Sequence, residues 1–234
     1  MAINLNIPTR GNNKLERMLE FVETDIQLNT LWKCSNTMVM NRQNLNDHGP
    51  IHIKIVANRA IKLLRMLIQN DVEPSIVKDY GYSVEDAEVV VLLGSVMHDL
   101  GLSIVRDQHE LFSIPLAQSV LSRCLPLLYS EEESTIMMSE VLHAVLTHHE
   151  PSLPLTIEAG VVKVADALDM ELYRSARNSK PLCPLKSGVK ITARTIKKTA
   201  SMAAPAKNSF FRLIFMMPPL LSARECFSRR FRAP

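Results

Sequence analysis

The chain is short of several things, and each shortage removes a class of protein. Only four cysteines occur in 234 residues, Cys34, Cys124, Cys183 and Cys226, and no two of them form a CxxC pair. Neither a disulfide framework nor a thiolate zinc site is expected. No apolar run is long enough to span a bilayer: the longest ends at His98, and Arg212, Pro218 and Pro219 interrupt the apolar cluster near the C-terminus. Residues 1–10 contain no apolar core of signal-peptide type, so a cytoplasmic protein with no membrane contact is expected. Before Val189 no stretch alternates apolar and polar residues in the manner of a strand. Acids are scarce too, but only at one end. From Leu172 onward fourteen Lys and Arg face one acid, Glu225, whereas residues 1–171 carry thirteen basic and twenty-three acidic residues, a net of −10. The overall charge of +3 conceals this break. It divides the chain into an acidic domain, 1–171, and a basic tail, 172–234.

What is present is helical. At 47% hydrophobic residues the chain can bury a core. Leu15, Met18, Leu19, Val22 and Ile26 recur at three- and four-residue spacing, which predicts an amphipathic helix from Asn13 continuing towards Met40. Asp47 is a candidate N-cap and Pro50 is tolerated only in a first turn, so His52 should open a long helix through Ile68. Asp71 to Tyr82 reads as a loop or a short irregular piece. Ser83 and Asp86 form a capping-box variant before a helix that runs through Val89-Val90-Val91-Leu92-Leu93 to His98-Asp99, with Gly101 as a candidate C′ residue. Further helices are expected from about His109 to Leu128, bent near Pro115, from Ser130 to His148-His149, and from Leu155 to Met170. The class is all-α.

All seven histidines lie between residues 48 and 149. His52 stands near the start of one helix, His98 and Asp99 at the end of another, and Asp166 within Val162-Lys163-Val164-Ala165-Asp166-Ala167-Leu168-Asp169. An aspartate flanked by Val164, Ala165 and Leu168 is costly to bury without a cation or several donors. Two imidazoles and two carboxylates suit Mn²⁺, Fe²⁺, Co²⁺ or Zn²⁺ better than Mg²⁺ or Ca²⁺. Four ligands from three helices leave coordination positions open, as catalytic metals require.

In this order and context His52, His98-Asp99 and Asp166 resemble the H…HD…D signature of the HD superfamily of metal-dependent phosphohydrolases. The resemblance covers roughly residues 47–171 and is nearest to small, stand-alone archaeal and bacterial HD proteins. It implies a helical bundle in which one or two divalent metals activate water against a phosphate ester of a small metabolite or nucleotide. His109, preceded by Arg106 and followed by Glu110, is where some HD nucleotide hydrolases also keep a His and a Glu. The resemblance makes His109 a candidate acid/base beside Asp99, with Arg106 holding phosphate; a helix N-cap and a solvated arginine are the alternative. His143, His148 and His149 are candidates for a second metal, because dinuclear members carry extra histidines there. His143, set among Val141, Leu142 and Val145, also fits a hydrogen-bonded core position. His48 reads as a loop residue, Asp169 as a cap or an acceptor behind a ligand, and Lys54 and Arg59 as facing either the cleft or solvent.

The tail lacks amphipathic periodicity, and its one regular signal is a candidate strand at Val189-Lys190-Ile191-Thr192. It fits an out-of-frame C-terminus, an element of a homodimer burying Phe210, Phe211 and Phe215, or, less well, a nucleic-acid-binding arm. The alternative to an enzyme is a metal- and nucleotide-binding sensor without turnover.

Overall fold

One helix is buried on every side, and other described helices are arranged around it. Twelve consecutive residues from Asp86 to Met97 are buried, which is the expected fate of a helix that is apolar all round. The computed structural model describes residues 3–149 and 151–177, with side chains through Asp169. In order, the helices are α1 (Asn13–Thr24), α2 (Ile26–Asn36), α3 (Pro50–Ile68), α4 (Ser75–Tyr80), α5 (Val84–Met97), α6 (His109–Cys124), α7 (Glu131–Thr147) and α8 (Ile157–Arg177). A π segment, Thr37–Arg42, extends α2, and 3₁₀ turns follow α5 at Leu100–Ser103 and α6 at Leu125–Leu127. Helices α1, α3, α7 and α8 all pack on α5. Among the described residues there is no strand, and no helix is long and apolar enough to cross a membrane. The fold is all-α. α8 runs through Arg177, past the domain end expected at 171. The rest of the basic tail, with its candidate strand, lies outside the described residues.

The long helix expected from Asn13 is two helices. Asp25 takes an extended conformation, and its side chain accepts from the Leu28 amide at 2.8 Å. This cap starts α2 afresh and turns Trp32 inward, where its Nε1 donates to the Val96 carbonyl at 2.9 Å. Capping boxes open α5 at Ser83–Asp86 and α7 at Ser130–Glu133. α6 does start at His109, and Pro115 sits within it on an exposed face. There the helix carbonyl deprived of an amide partner can turn to water. α4 replaces the expected loop. The Glu158 carboxylate, from the first turn of α8, accepts from the Ser75 and Ile76 amides at 3.2 and 3.1 Å.

Next to this cap lies a carboxyl group with no such support. Glu140 on α7 is 9% exposed, and its Oε2 has no hydrogen-bond partner among the described residues. Burial, then the charges of Glu158 and Asp79, push its pKa up to about 7. A carboxyl raised above its unfolded value favours the folded state fully at low pH. Stability then falls as pH rises from the unfolded value near 4.5 through 7. Glu140→Gln should therefore be near neutral at pH 5 and stabilise by on the order of 1–3 kcal/mol at pH 8. Urea unfolding at the two pH values measures the difference.

Candidate metal centre

The C-terminal end of α5 supplies the first two side chains of the site. His98 is the C-cap of α5, with helical φ and ψ, while Asp99 leaves the helix at φ −101° and ψ 11°. That departure separates two neighbours that would otherwise point about 100° apart. The His98 ring folds back so that Nδ1 donates to the Ser95 carbonyl at 2.8 Å. A carbonyl can only accept, so Nδ1 carries the proton and the Nε2 lone pair faces outward. The same device recurs twice. His109 Nδ1 donates to the Arg106 carbonyl at 3.0 Å, and His148 Nδ1 to the Val145 carbonyl at 2.7 Å. His148, like His98, is a helix C-cap, a place where carbonyls lack amide partners.

The inward nitrogens form two lobes around Asp99. In the first, His52 Nε2 lies 3.2 Å from His98 Nε2. Asp99 Oδ2 is 3.5 and 3.3 Å from these two nitrogens, and Asp166 Oδ1 is 3.4 and 3.8 Å from them. In the second, His109 Nε2 lies 3.1 Å from His148 Nε2, and Asp99 Oδ1 is 3.1 and 3.5 Å from them. Each lobe thus sets two imidazole lone pairs face to face. Such a pair repels unless a proton or a metal ion lies between, and Asp99, 4% exposed, offers one oxygen to each.

Proton affinities follow this layout. Burial would lower the His52 pKa, but hydrogen bonds to Asp169 and Asp99, with the charges of Asp99 and Asp166, carry it up to about 10. Burial also opposes protonation of His109, yet the Asp99 carboxylate raises it. His148 goes the other way, lowered by burial and by the charge of His98. Burial would raise the Asp99 carboxyl, and the surrounding imidazoles instead hold it well below the usual carboxylate range. Without a metal, the cluster retains positive charge where a cation fits. His52, His98 and Asp166 form one group able to hold an ion, His98, Asp99 and His148 a second, and His48, His52 and Asp99 a third.

A cleft of about 600 Å³ opens over the second lobe, with Arg106, Glu110, His148, His149 and Lys163 among its walls. Arg106 is exposed. Glu110 Oε2 lies 3.5 Å from His109 Nδ1, and the His149 ring is 5.6 Å from that of His109. Lys163 Nζ donates to the Ser152 carbonyl at 2.7 Å and to that of His149 at 3.3 Å, bracing the turn between α7 and α8.

Several residues stand elsewhere than the sequence suggested. His143, a candidate for a second metal, is outside both lobes: its Nε2 accepts from the Leu155 amide at 2.8 Å. Five residues before His148, it projects from α7 about 140° away. His48, read as a loop residue, is in a loop but points into the site, with Nδ1 2.8 Å from Asp99 Oδ2. Asp47 does not cap α3. Its Oδ1 instead accepts from the Gly49 amide at 2.7 Å, and Gly49 is the N-cap. A Cβ on Gly49 would strike the Asn36 side chain, whose Oδ1 holds the His48 amide at 3.0 Å. Lys54 donates to the Asn4 carbonyl and does not line the cleft. Arg59 instead pairs with Asp169.

A bundle whose helices converge these histidines and aspartates is what HD domains are built from, and the chain matches the HD domain over residues 51–171, half of its length. It belongs to that family, whose members are generally metal-dependent hydrolases. It is 48% identical over 149 residues to the uncharacterized protein MJ1020 of Methanocaldococcus jannaschii, a match covering 64% of this chain and 58% of that one. The chain therefore spans little more than half the length of that relative. No solved structure matches it.

Proposed function

We propose that the chain is a metal-dependent phosphohydrolase that cleaves a phosphomonoester or phosphodiester of a small metabolite or nucleotide. The observation that carries this reading is the pair of facing imidazole lone pairs, one pair at each oxygen of the buried Asp99. His52, His98, Asp99 and Asp166 would hold one divalent ion, and Asp99, His109 and His148 suit a second. Mn²⁺, Fe²⁺, Co²⁺ and Zn²⁺ fit this imidazole-rich set better than Mg²⁺. When bound, such an ion lowers the pKa of water towards neutrality and offsets charge developing on phosphoryl oxygens.

The chain's own groups do the rest. The carbonyls behind His98, His109 and His148 fix which nitrogen of each ring faces the cleft. With its Nε2 turned to Asp99, His109 is better suited to ligation than to the acid/base role suggested by its sequence context. Arg106 and Glu110 remain at the cleft wall, where the guanidinium can grip a phosphate bidentately and the carboxyl can exchange a proton with the leaving group. His149 adds an imidazole at the same wall.

The test is hydrolysis of one aryl phosphomonoester and one aryl phosphodiester by chelator-treated protein, with and without added Mn²⁺. Turnover that appears only with the ion is the expected result, and the preferred ester narrows the substrate class. Bound Mn²⁺ without turnover of either ester would move the reading to a non-catalytic sensor.

A further inference from the structure

His52 differs from the other metal-facing imidazoles in one respect. His98, His109 and His148 each donate Nδ1–H to the carbonyl three residues earlier. For His52 that carbonyl belongs to Gly49, and it is already accepting from the Ile53 amide at 3.0 Å. Pro50 opens α3, so the ring stands in a first turn, where the carbonyls are directed along the helix to later amides. Its acceptor comes from another helix. Asp169 on α8 provides it: Oδ2 lies 2.9 Å from His52 Nδ1. The other oxygen, Oδ1, takes a 2.9 Å hydrogen bond from Arg59 Nη1, two turns along α3 from His52. Asp169 cannot share an ion with Asp99 and Asp166. Those carboxylates face Nε2, and Asp169 faces the nitrogen on the far side of the ring.

We infer that Asp169, tethered by Arg59, is the positioning residue of His52, holding it in the Nδ1–H tautomer with Nε2 aimed at the first lobe. The two aspartates of Asp166-Ala167-Leu168-Asp169 then divide the work one helical turn apart. Asp166 faces the ion site, and Asp169 orients the histidine opposite. Arg59 contributes by fixing the carboxylate and does not reach the cleft. An acceptor behind a ligating imidazole is worth about 10–100-fold in metal affinity.

The inference rests on the metal-site reading above, and two measurements keep them separable. Side-chain ¹H–¹⁵N spectra of metal-free protein report the hydrogen-bonded Nδ1–H pattern of His52 directly, whether or not Nε2 also carries a proton, and titration with Mn²⁺ alone reports affinity. Asp169→Ala should abolish the hydrogen-bonded Nδ1–H pattern of His52 and raise the Mn²⁺ Kd about 10–100-fold. Asp169→Asn combined with Arg59→Met keeps an acceptor but no ion pair. It should keep the Nδ1–H pattern and bind within about tenfold of wild type. An unchanged Nδ1–H pattern and Kd in Asp169→Ala would overturn the assignment. So would loss of the Nδ1–H pattern in the double variant, since an ion pair rather than an acceptor would then be what matters. Wild type that binds no Mn²⁺ would sink the metal reading alone, because the spectra of metal-free protein still decide the role of Asp169.

Discussion

Asp99→Asn should abolish Mn²⁺-dependent turnover to within detection and weaken Mn²⁺ binding by about 10²–10³-fold. The size comes from what the carboxylate does twice. Oδ2 lies within 3.5 Å of nitrogens of His52 and His98 and of His48, and Oδ1 within 3.5 Å of those of His109 and His148, so a single substitution removes the counter-charge from both lobes. Loss of a hydrogen-bond acceptor behind a ligand already costs about 10–100-fold in metal affinity, and a ligand carboxylate that serves both lobes should cost more. Asparagine fills the same volume and leaves no cavity, so packing is not the cause. The new amide also turns its NH2 group towards one of the two lobes, where the facing nitrogens would otherwise hold a cation. Unfolding is not expected. His52 and His109 can release the protons that Asp99 holds on them, so no uncompensated charge is trapped. Circular dichroism should show native helix content while isothermal titration shows the lost affinity. A variant that binds Mn²⁺ like wild type would remove Asp99 from the centre of the site and with it the two-lobed arrangement.

What could be read from the sequence was what is encoded locally. The capping boxes at Ser83–Asp86 and Ser130–Glu133 bond within four residues, and Pro50 and the apolar run before His98 each act on their own helix. His52, His98, Asp99 and Asp166 were legible because polar side chains on apolar faces need partners. The misses depend on contacts distant in sequence. α4 is capped by Glu158, more than eighty residues away. The break at Asp25 falls inside an unbroken helical period, and its carboxylate is also held by Arg123 from α6. His48 enters the site because Asn36 anchors its amide across a twelve-residue separation, which no local pattern reports. The dual use of the Asp99 oxygens could not be foreseen without knowing that His109 and His148 meet.

Gly101→Ala should be the most destabilising single-methyl change in the domain, by about 3–5 kcal/mol, above the usual 1–3 kcal/mol of overpacking. The sequence suggested a helix C′ glycine, where a left-handed φ is the requirement. The structure gives another reason. Gly101 lies in the 3₁₀ turn Leu100–Ser103, its φ is not positive, and it is pressed against the start of α6. A Cβ there would overlap the His109 carbonyl oxygen and come within 2.7 Å of the Ser113 amide nitrogen and 2.9 Å of the His109 carbonyl carbon. These are backbone atoms and cannot swing aside, so the first turn of α6 would have to move. That turn carries His109 and Glu110. It is also bolted to the α5 end by Ser113 Oγ, 2.8 Å from the Gly101 amide and 2.7 Å from the His98 carbonyl. Ser113→Ala breaks those hydrogen bonds without moving the helix and should cost about 1–3 kcal/mol, less than the alanine. At roughly 2–4 °C per kcal/mol for a chain of this size, Gly101→Ala should melt about 10 °C below wild type. Its second lobe should fail before its first, because His52, His98 and Asp166 do not ride on α6. An alanine tolerated at the wild-type melting temperature would mean that α6 is not seated on Gly101. The meeting of His109 with Asp99 and His148 would then lose its support.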